Sequence, residues 1–227
     1  MPFRDTIFIN KAIYHIFNKT IDHKAIFDDV GAGENLLKVI TYYRSYYSQK
    51  HRYSEFIKLE DDIKESVRSK IADERSFQFE ILSYCLMPTH YHFLIKQKKD
   101  NGIVKGFSNA LNSFMKHFNK INERNGPIFL PRFKSVVIRT EEQLKHVSRY
   151  IHLNPYSDRL VKNFNELINF PLSSLKNYFG GRQGICNVDY ILGLFGGNKE
   201  RYIKFVEDNA DYQRSLEEIK YLNKLGV

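Results

Sequence analysis

Tryptophan is absent from this chain of 227 residues, and cysteine, methionine and proline are scarce, with two, three and six copies. Two thiols, Cys85 and Cys186, are too few for the disulfide framework of a small secreted domain. No apolar run approaches the length needed to cross a bilayer, and the chain does not start with a basic-then-apolar leader, so a cytoplasmic protein is expected. The glycines at 180, 181, 184, 196 and 197 fit neither GxGxxG nor GxxxxGK[ST], which excludes the phosphate loops of nucleotide-binding folds. Internal repeats and low-complexity tracts are also missing.

What the chain does have is positive charge and rings. Lys and Arg number 35 against 26 Asp and Glu, a net +9 with pI ≈ 9.3, which admits a polyanionic partner without requiring one. The excess is concentrated: residues 103–162 hold eleven basic side chains and four acidic ones. Within that segment Lys116, Lys120 and Lys145 read as a solvated helix face, whereas Arg132, Lys134, Arg139 and Arg149 are candidates for phosphate contacts. Fifteen tyrosines and 18 phenylalanines supply rings on which unpaired bases could stack, although most belong to a core. The cluster Tyr42-Tyr43-Arg44-Ser45-Tyr46-Tyr47 gives two pairs at i,i+4 spacing, read as one packed and one surface pair with no assigned role.

The stretch Met87-Pro88-Thr89-His90-Tyr91-His92-Phe93-Leu94-Ile95 carries more information than any other. In a strand, alternate side chains share a face, so His90 and His92 point together and Tyr91 points away. Two imidazoles on one face make half of a metal site, but the same pair also occurs as ordinary histidines satisfied by backbone or water. A second motif, Arg149-Tyr150-Ile151-His152-Leu153-Asn154-Pro155, ends a segment with Leu144, Val147 and Ile151 at helical spacing. Glu141 and Glu142 suit the helix's positive end, and Pro155 is expected to terminate it. Tyr150 and Asn154, four apart, then share one face, offering a nucleophile and an oxygen ligand beside the two histidines. The plainer alternative for Tyr150 is a buried ring with a hydrogen-bonded hydroxyl.

The strings YHIFNKT (14–20), YCLMPTHYHFLI (84–95), PRFKS (131–135) and RYIHLNP (149–155) occur in an order and spacing that resembles the REP-associated tyrosine transposases, a branch of the single-tyrosine HUH transposases. The likeness spans about residues 11–165. It implies a single-stranded DNA endonuclease and strand-transferase that depends on Mg2+ or Mn2+ and acts at hairpin-associated sites through a 5′-phosphotyrosine. Its implied partner is single-stranded DNA with a REP-like or element-end hairpin, bound by a monomer or a homodimer. By position, His90 and His92 look like the HUH ligands, Tyr150 like the nucleophile and Asn154 like a further ligand from the helix; Lys19, Arg132, Lys134, Arg139 and Arg149 are the implied DNA contacts. Two departures stand out. Thr89 replaces a common Asn before the first histidine, and Lys19-Thr20 replaces Arg-Gly, where a glycine could serve a left-handed backbone.

Coarse periodicity predicts a strand (12–19), a helix (33–49), strands (77–86 and 91–97), a helix (103–122), a strand (135–139) and the tyrosine helix. That order is βαββαβ, an α+β fold on the ferredoxin-like plan, with an added catalytic helix and the histidine strand central. The polar stretch 54–75 reads as an extra helix or a flexible lid in the first crossover. Residues 1–168 are expected to form the nuclease domain and 169–227 a helical C-terminal extension, with helices at 188–195 and 199–222. Two rival functions compete with the transposase reading: a non-catalytic binder of single-stranded DNA or structured RNA, and a hydrolase using His90, His92 and His152 with activated water. On a helix His152 lies about 200° from both Tyr150 and Asn154, which argues against the second.

Overall fold

The computed structural model describes residues 7–180 and 184–215. Strand β1 (Ile13–Lys19) leads through a short 3-10 turn to helix α1 (Val30–Tyr43), short helix α2 (Tyr53–Phe56) and helix α3 (Asp61–Ala72). Strands β2 (Phe79–Met87) and β3 (His90–Gln97) follow, then helix α4 (Ser108–Ile121) and strand β4 (Lys134–Ile138). Among the described residues the elements after β4 are helices: α5 (Glu141–Ser157), α6 (Phe164–Ile168), α7 (Leu175–Tyr178), α8 (Val188–Gly193) and α9 (Lys199–Glu207). The four strands lie in the order β2-β3-β1-β4, the ferredoxin-like arrangement, and the histidine strand β3 is central as expected.

By their contacts the described residues fall into two compact units. One draws on Met1–Glu80, Pro88–His90 and Ile95–Val137, the other on Ile81–Met87, Tyr91–Leu94 and Ile138–Val227. In the first, α1 packs on α4. Phe107, Ala110, Leu111 and Phe114 are buried at the i, i+3, i+4, i+7 spacing that turns one helical stripe to a core. Their rings mesh with others: Phe114 lies 6.1 Å from both Phe27 and Phe129, and Phe107 lies 5.4 Å from Phe133. Asp29 caps α1 by accepting the Gly31 N–H at 2.9 Å, satisfying one of the helix's unpaired donors.

Every residue of β2 is buried, although β2 is an edge strand. Its edge is occupied by the chain that follows α6. Leu86 N–H donates to Leu172 O at 2.9 Å, Ser174 N–H to Tyr84 O at 3.0 Å and Asn187 N–H to Ile81 O at 2.8 Å. The Tyr178 hydroxyl donates to Leu82 O at 2.6 Å. An exposed apolar edge would template pairing with other chains; here the C-terminal third fills it.

Helix α5 begins on Thr140, whose hydroxyl accepts the Gln143 N–H at 3.1 Å, while Gln143 Oε1 accepts the Arg139 N–H at 2.8 Å. Contrary to expectation, Pro155 does not end it. The proline lies inside the helix, which runs on to Ser157. Proline removes the N–H that Ile151 O would accept, and the Asn154 side-chain amide turns back toward that carbonyl at 3.4 Å. The true stop comes later: Arg159 takes a left-handed φ of 59°, with its N–H donating to Tyr156 O at 3.2 Å and the Leu160 N–H to Pro155 O at 2.9 Å.

Three other expectations are adjusted. The first helix ends at Tyr43, and a separate 3-10 turn covers Tyr46–Gln49. The tyrosines therefore pair as neighbours, Tyr42 with Tyr43 buried and Tyr46 stacked on Tyr47 at 4.4 Å, rather than at i,i+4. The crossover stretch 54–75 is helical, as α2 and α3. Thr20 sits in extended backbone at φ −69° and ψ 152°, so no glycine is required there; the left-handed residues are Asp22 and His23 just after it. Helices start where expected near 188 and 199, but the second ends at Glu207 and a turn at 208–209 separates it from the helical residues 210–215; the part of that expectation beyond 215 lies outside the described residues, as do 181–183 of the glycine run.

Packing between α1, β2 and the turn before α4 leaves no room at Gly106. A Cβ there would stand 2.7 Å from both Tyr43 O and Phe79 Cε1. Gly106→Ala should therefore lower stability by about 1–3 kcal/mol, the usual range for overpacking. Urea unfolding monitored by circular dichroism measures it, and an unchanged midpoint would contradict the packing described.

Candidate active site

Residues Pro88 and Thr89 form the two-residue connection between β2 and β3, placing His90 at the first position of β3 and His92 two further on. The alternation of the strand puts both imidazoles on one face. Both departures from the family pattern meet here. Thr20 donates its N–H at 2.8 Å and its hydroxyl at 3.0 Å to the carbonyl of Thr89. The Thr89 hydroxyl in turn lies 3.2 Å from His90 Nδ1. A hydrogen bond on Nδ1 of this kind restrains the rotation of the His90 ring.

His92 is buried, and its ring meets that of Tyr150 edge to face, centroids 5.5 Å apart and planes at 89°. Tyr150 is half-buried on α5. Its main-chain carbonyl accepts from Asn154 Nδ2 at 2.8 Å and from Gln213 Nε2 at 3.3 Å. Asn154 is itself buried, and with its nitrogen aimed at helix carbonyls its Oδ1 is the end available to a ligand. The structure thus brings His92, Tyr150 and Asn154 into one unit, with His90 next along the same strand.

The basic candidates divide. Lys19 and Lys134 are exposed and Arg132 is half-buried, all in the first unit, where Leu130 N–H donates to Lys19 O at 3.0 Å and draws the segment before β4 alongside β1. Arg139 is exposed at the N-terminus of α5. Arg149 packs inward instead: its guanidinium lies 4.2 Å over the Phe205 ring, donates to Phe205 O at 3.4 Å and contacts His146 Nδ1 at 2.7 Å.

His152 behaves as its helical phase required. It is fully buried, with Nδ1 2.7 Å from the Tyr202 hydroxyl, Nε2 2.8 Å from Ser174 Oγ and its ring edge-on to Tyr178. Both nitrogens are engaged away from Tyr150, so the three-histidine hydrolase is set aside. Among the described residues no three His, Cys, Asp or Glu side chains gather as a metal cage. Sequence reasoning missed Ser174, Tyr202 and Gln213 altogether, because long-range polar partners leave no periodic signal; Thr89 was visible only as a departure.

The sequence matches the IS200-like transposase family over residues 39–154, just over half of the chain. Among solved structures, a REP-associated tyrosine transposase bound to a REP hairpin shares the fold, with a TM-score of 0.51 at 16% identity over 83% of this chain and 90% of that one. No protein of curated function matches the sequence. Among the described residues no helix is long and apolar enough to cross a membrane.

Burial lowers the pKa of His152 to about 3 from its ordinary 6.5, and that of His15 on β1 to about 4. The unfolded chain takes up these protons near pH 6.5 whereas the folded chain refuses them, so stability is complete above pH 6.5 and falls as pH drops below it. His152 alone should cost about 2 kcal/mol at pH 5. Urea unfolding at pH 7.5 and pH 5 should show this loss, reduced by a similar amount in a folded His152→Gln variant; an equal pH dependence in both proteins would contradict it.

Proposed function

The chain belongs to the IS200-like transposase family, and from that premise we propose that it is a metal-dependent single-stranded DNA endonuclease and strand-transferase working through a covalent 5′-phosphotyrosine on Tyr150. One observation carries the reading: the only motif tyrosine on α5 that faces the histidine strand does so in direct ring contact with His92. The REP hairpin bound by the structurally similar protein supports a hairpin as the substrate class, and the unpaired flank is part of the proposal.

His90, His92 and Asn154 Oδ1 are the residues that would hold a divalent ion; the family resemblance, not the donor types, makes it Mg2+ or Mn2+, since two imidazoles by themselves suit later transition metals. Bound there, such an ion would polarise a phosphoryl oxygen of the scissile phosphate and neutralise the charge that develops on it. The chain's own residues do the rest. Tyr150 presents its phenolic oxygen to phosphorus; as that oxygen loses its proton and bonds to phosphorus, the bond to the 3′ oxygen of the preceding nucleotide breaks, leaving a free 3′ hydroxyl and a 5′ phosphate on the tyrosine. Attack by a 3′ hydroxyl on that ester reverses the step and joins strands. Lys19, Lys134 and Arg139, which are exposed, and the half-buried Arg132 are the proposed contacts to the DNA backbone, which would fix its register. Arg149 contributes through its hold on α9 unless DNA displaces it from Phe205.

The test uses hairpin oligonucleotides with single-stranded flanks and manganese. Wild type should cleave and form an adduct that survives a denaturing gel. Tyr150→Phe should lose both while binding the hairpin with unchanged affinity, and His90→Ala or His92→Ala should lose manganese binding by calorimetry. Adduct formed by Tyr150→Phe, or unaltered manganese affinity in both histidine variants, would overturn the reading.

A further inference from the structure

We propose that His152, Ser174 and Tyr202 are positioning residues for Tyr150: their hydrogen bonds fix the rotation of α5 and thereby where the phenol stands against His92. The inference rests on the assignment of Tyr150 as nucleophile.

Tyr150 and His152 are two residues apart on α5, about 200° round the helix. A helix turns as a rigid body, so whatever holds the His152 side sets the direction of the Tyr150 side. On that side a continuous chain of hydrogen bonds crosses the second unit. Ser148 Oγ lies 2.7 Å from the Tyr202 hydroxyl, which lies 2.7 Å from His152 Nδ1, and His152 Nε2 lies 2.8 Å from Ser174 Oγ. Ser174 Oγ then accepts the Tyr84 N–H at 2.8 Å and donates to Tyr84 O at 3.1 Å, anchoring the chain to the backbone of β2.

One assignment of protons satisfies every group: Ser148 donates to Tyr202, Tyr202 to His152 Nδ1, His152 Nε2–H to Ser174, and Ser174 to Tyr84 O. Ser148, His152, Ser174 and Tyr202 are all fully buried, so none can exchange its partner for water without an unpaired polar group being left behind. Apolar packing at this place would tolerate sliding. Two directed bonds to opposite nitrogens of one ring do not. Gln213 adds a further tie at the Tyr150 carbonyl.

The consequence is mechanical. A rotation of α5 by about ten degrees would swing the oxygen at the tip of a tyrosine by about 1–2 Å, given the helix radius of roughly 2.3 Å and the reach of the ring. Misplacement of a reacting group by about 1 Å can cost about 10²-fold in rate.

The experiment places 3-fluorotyrosine at position 150 of the full chain and records its fluorine resonance in wild type, Ser174→Ala, Tyr202→Phe and Ile191→Val. The last shortens a buried side chain of α8 in the same unit without touching the bonds. Single-turnover cleavage at saturating hairpin DNA is measured in parallel. The resonance should shift or split in Ser174→Ala and Tyr202→Phe, with cleavage slowed about 10²-fold and hairpin affinity within twofold of wild type, while Ile191→Val resembles wild type in each. If only one of the two network variants folds, that one decides. An unmoved resonance in the folded network variants, or an equal shift in Ile191→Val, overturns the proposal. Should wild type cleave no DNA while the resonance still shifts, the positioning stands and the nucleophile assignment fails.

Discussion

A single imidazole with no access to water governs the half of this protein that carries the tyrosine. His152 must find a partner for each ring nitrogen or bear the cost of leaving a buried polar group unsatisfied. Its two partners come from different elements, Ser174 beside the edge of β2 and Tyr202 on α9. Satisfying one side chain therefore ties a strand edge, a loop and two helices together. The same C-terminal residues that close this network also cover the backbone of β2, so edge protection and helix placement are served by one segment.

The opposite face of α5 is built on different terms. There the contact is a ring edge against a ring face, His92 to Tyr150, with the Asn154 amide nitrogen turned back to Tyr150 O at 2.8 Å and to Ile151 O at 3.4 Å. The shorter of these bonds, to Tyr150 O, orients the amide, and the carbonyl that Pro155 leaves without an N–H takes the longer one. Beside His90 the hydroxyls of Thr20 and Thr89 tie the turn backbone and the ring in place.

Much of this was legible in the sequence where a period carries the information. Alternation placed His90 and His92 together, and the 3.6-residue period placed Tyr150 with Asn154 and His152 opposite. The strand order followed from the βαββαβ succession. What escaped was set by long-range polar contacts. Nothing near Ser174 or Tyr202 in the chain signals that they meet His152, and Gln213 is 63 residues from the carbonyl it reaches. Pro155 misled because a local rule, proline as terminator, lost to a neighbouring side chain and to a left-handed stop at Arg159. The tyrosine cluster misled because α1 ends at Tyr43, within the run that spacing alone joined.

Peptide mapping of the covalent adduct decides whether Tyr150, as proposed, is the residue esterified to DNA. Trypsin cleaves after Arg149 and Arg159, releasing a peptide of residues 150–159 that contains both Tyr150 and Tyr156. Tyr156 is a fair competitor, since its hydroxyl is near the surface and bonded to Asp211. After reaction with a hairpin substrate and nuclease trimming, tandem mass spectrometry should place the nucleotide on Tyr150. The nucleotide on Tyr156, or an unmodified peptide from a preparation that has cleaved its DNA, would contradict the account.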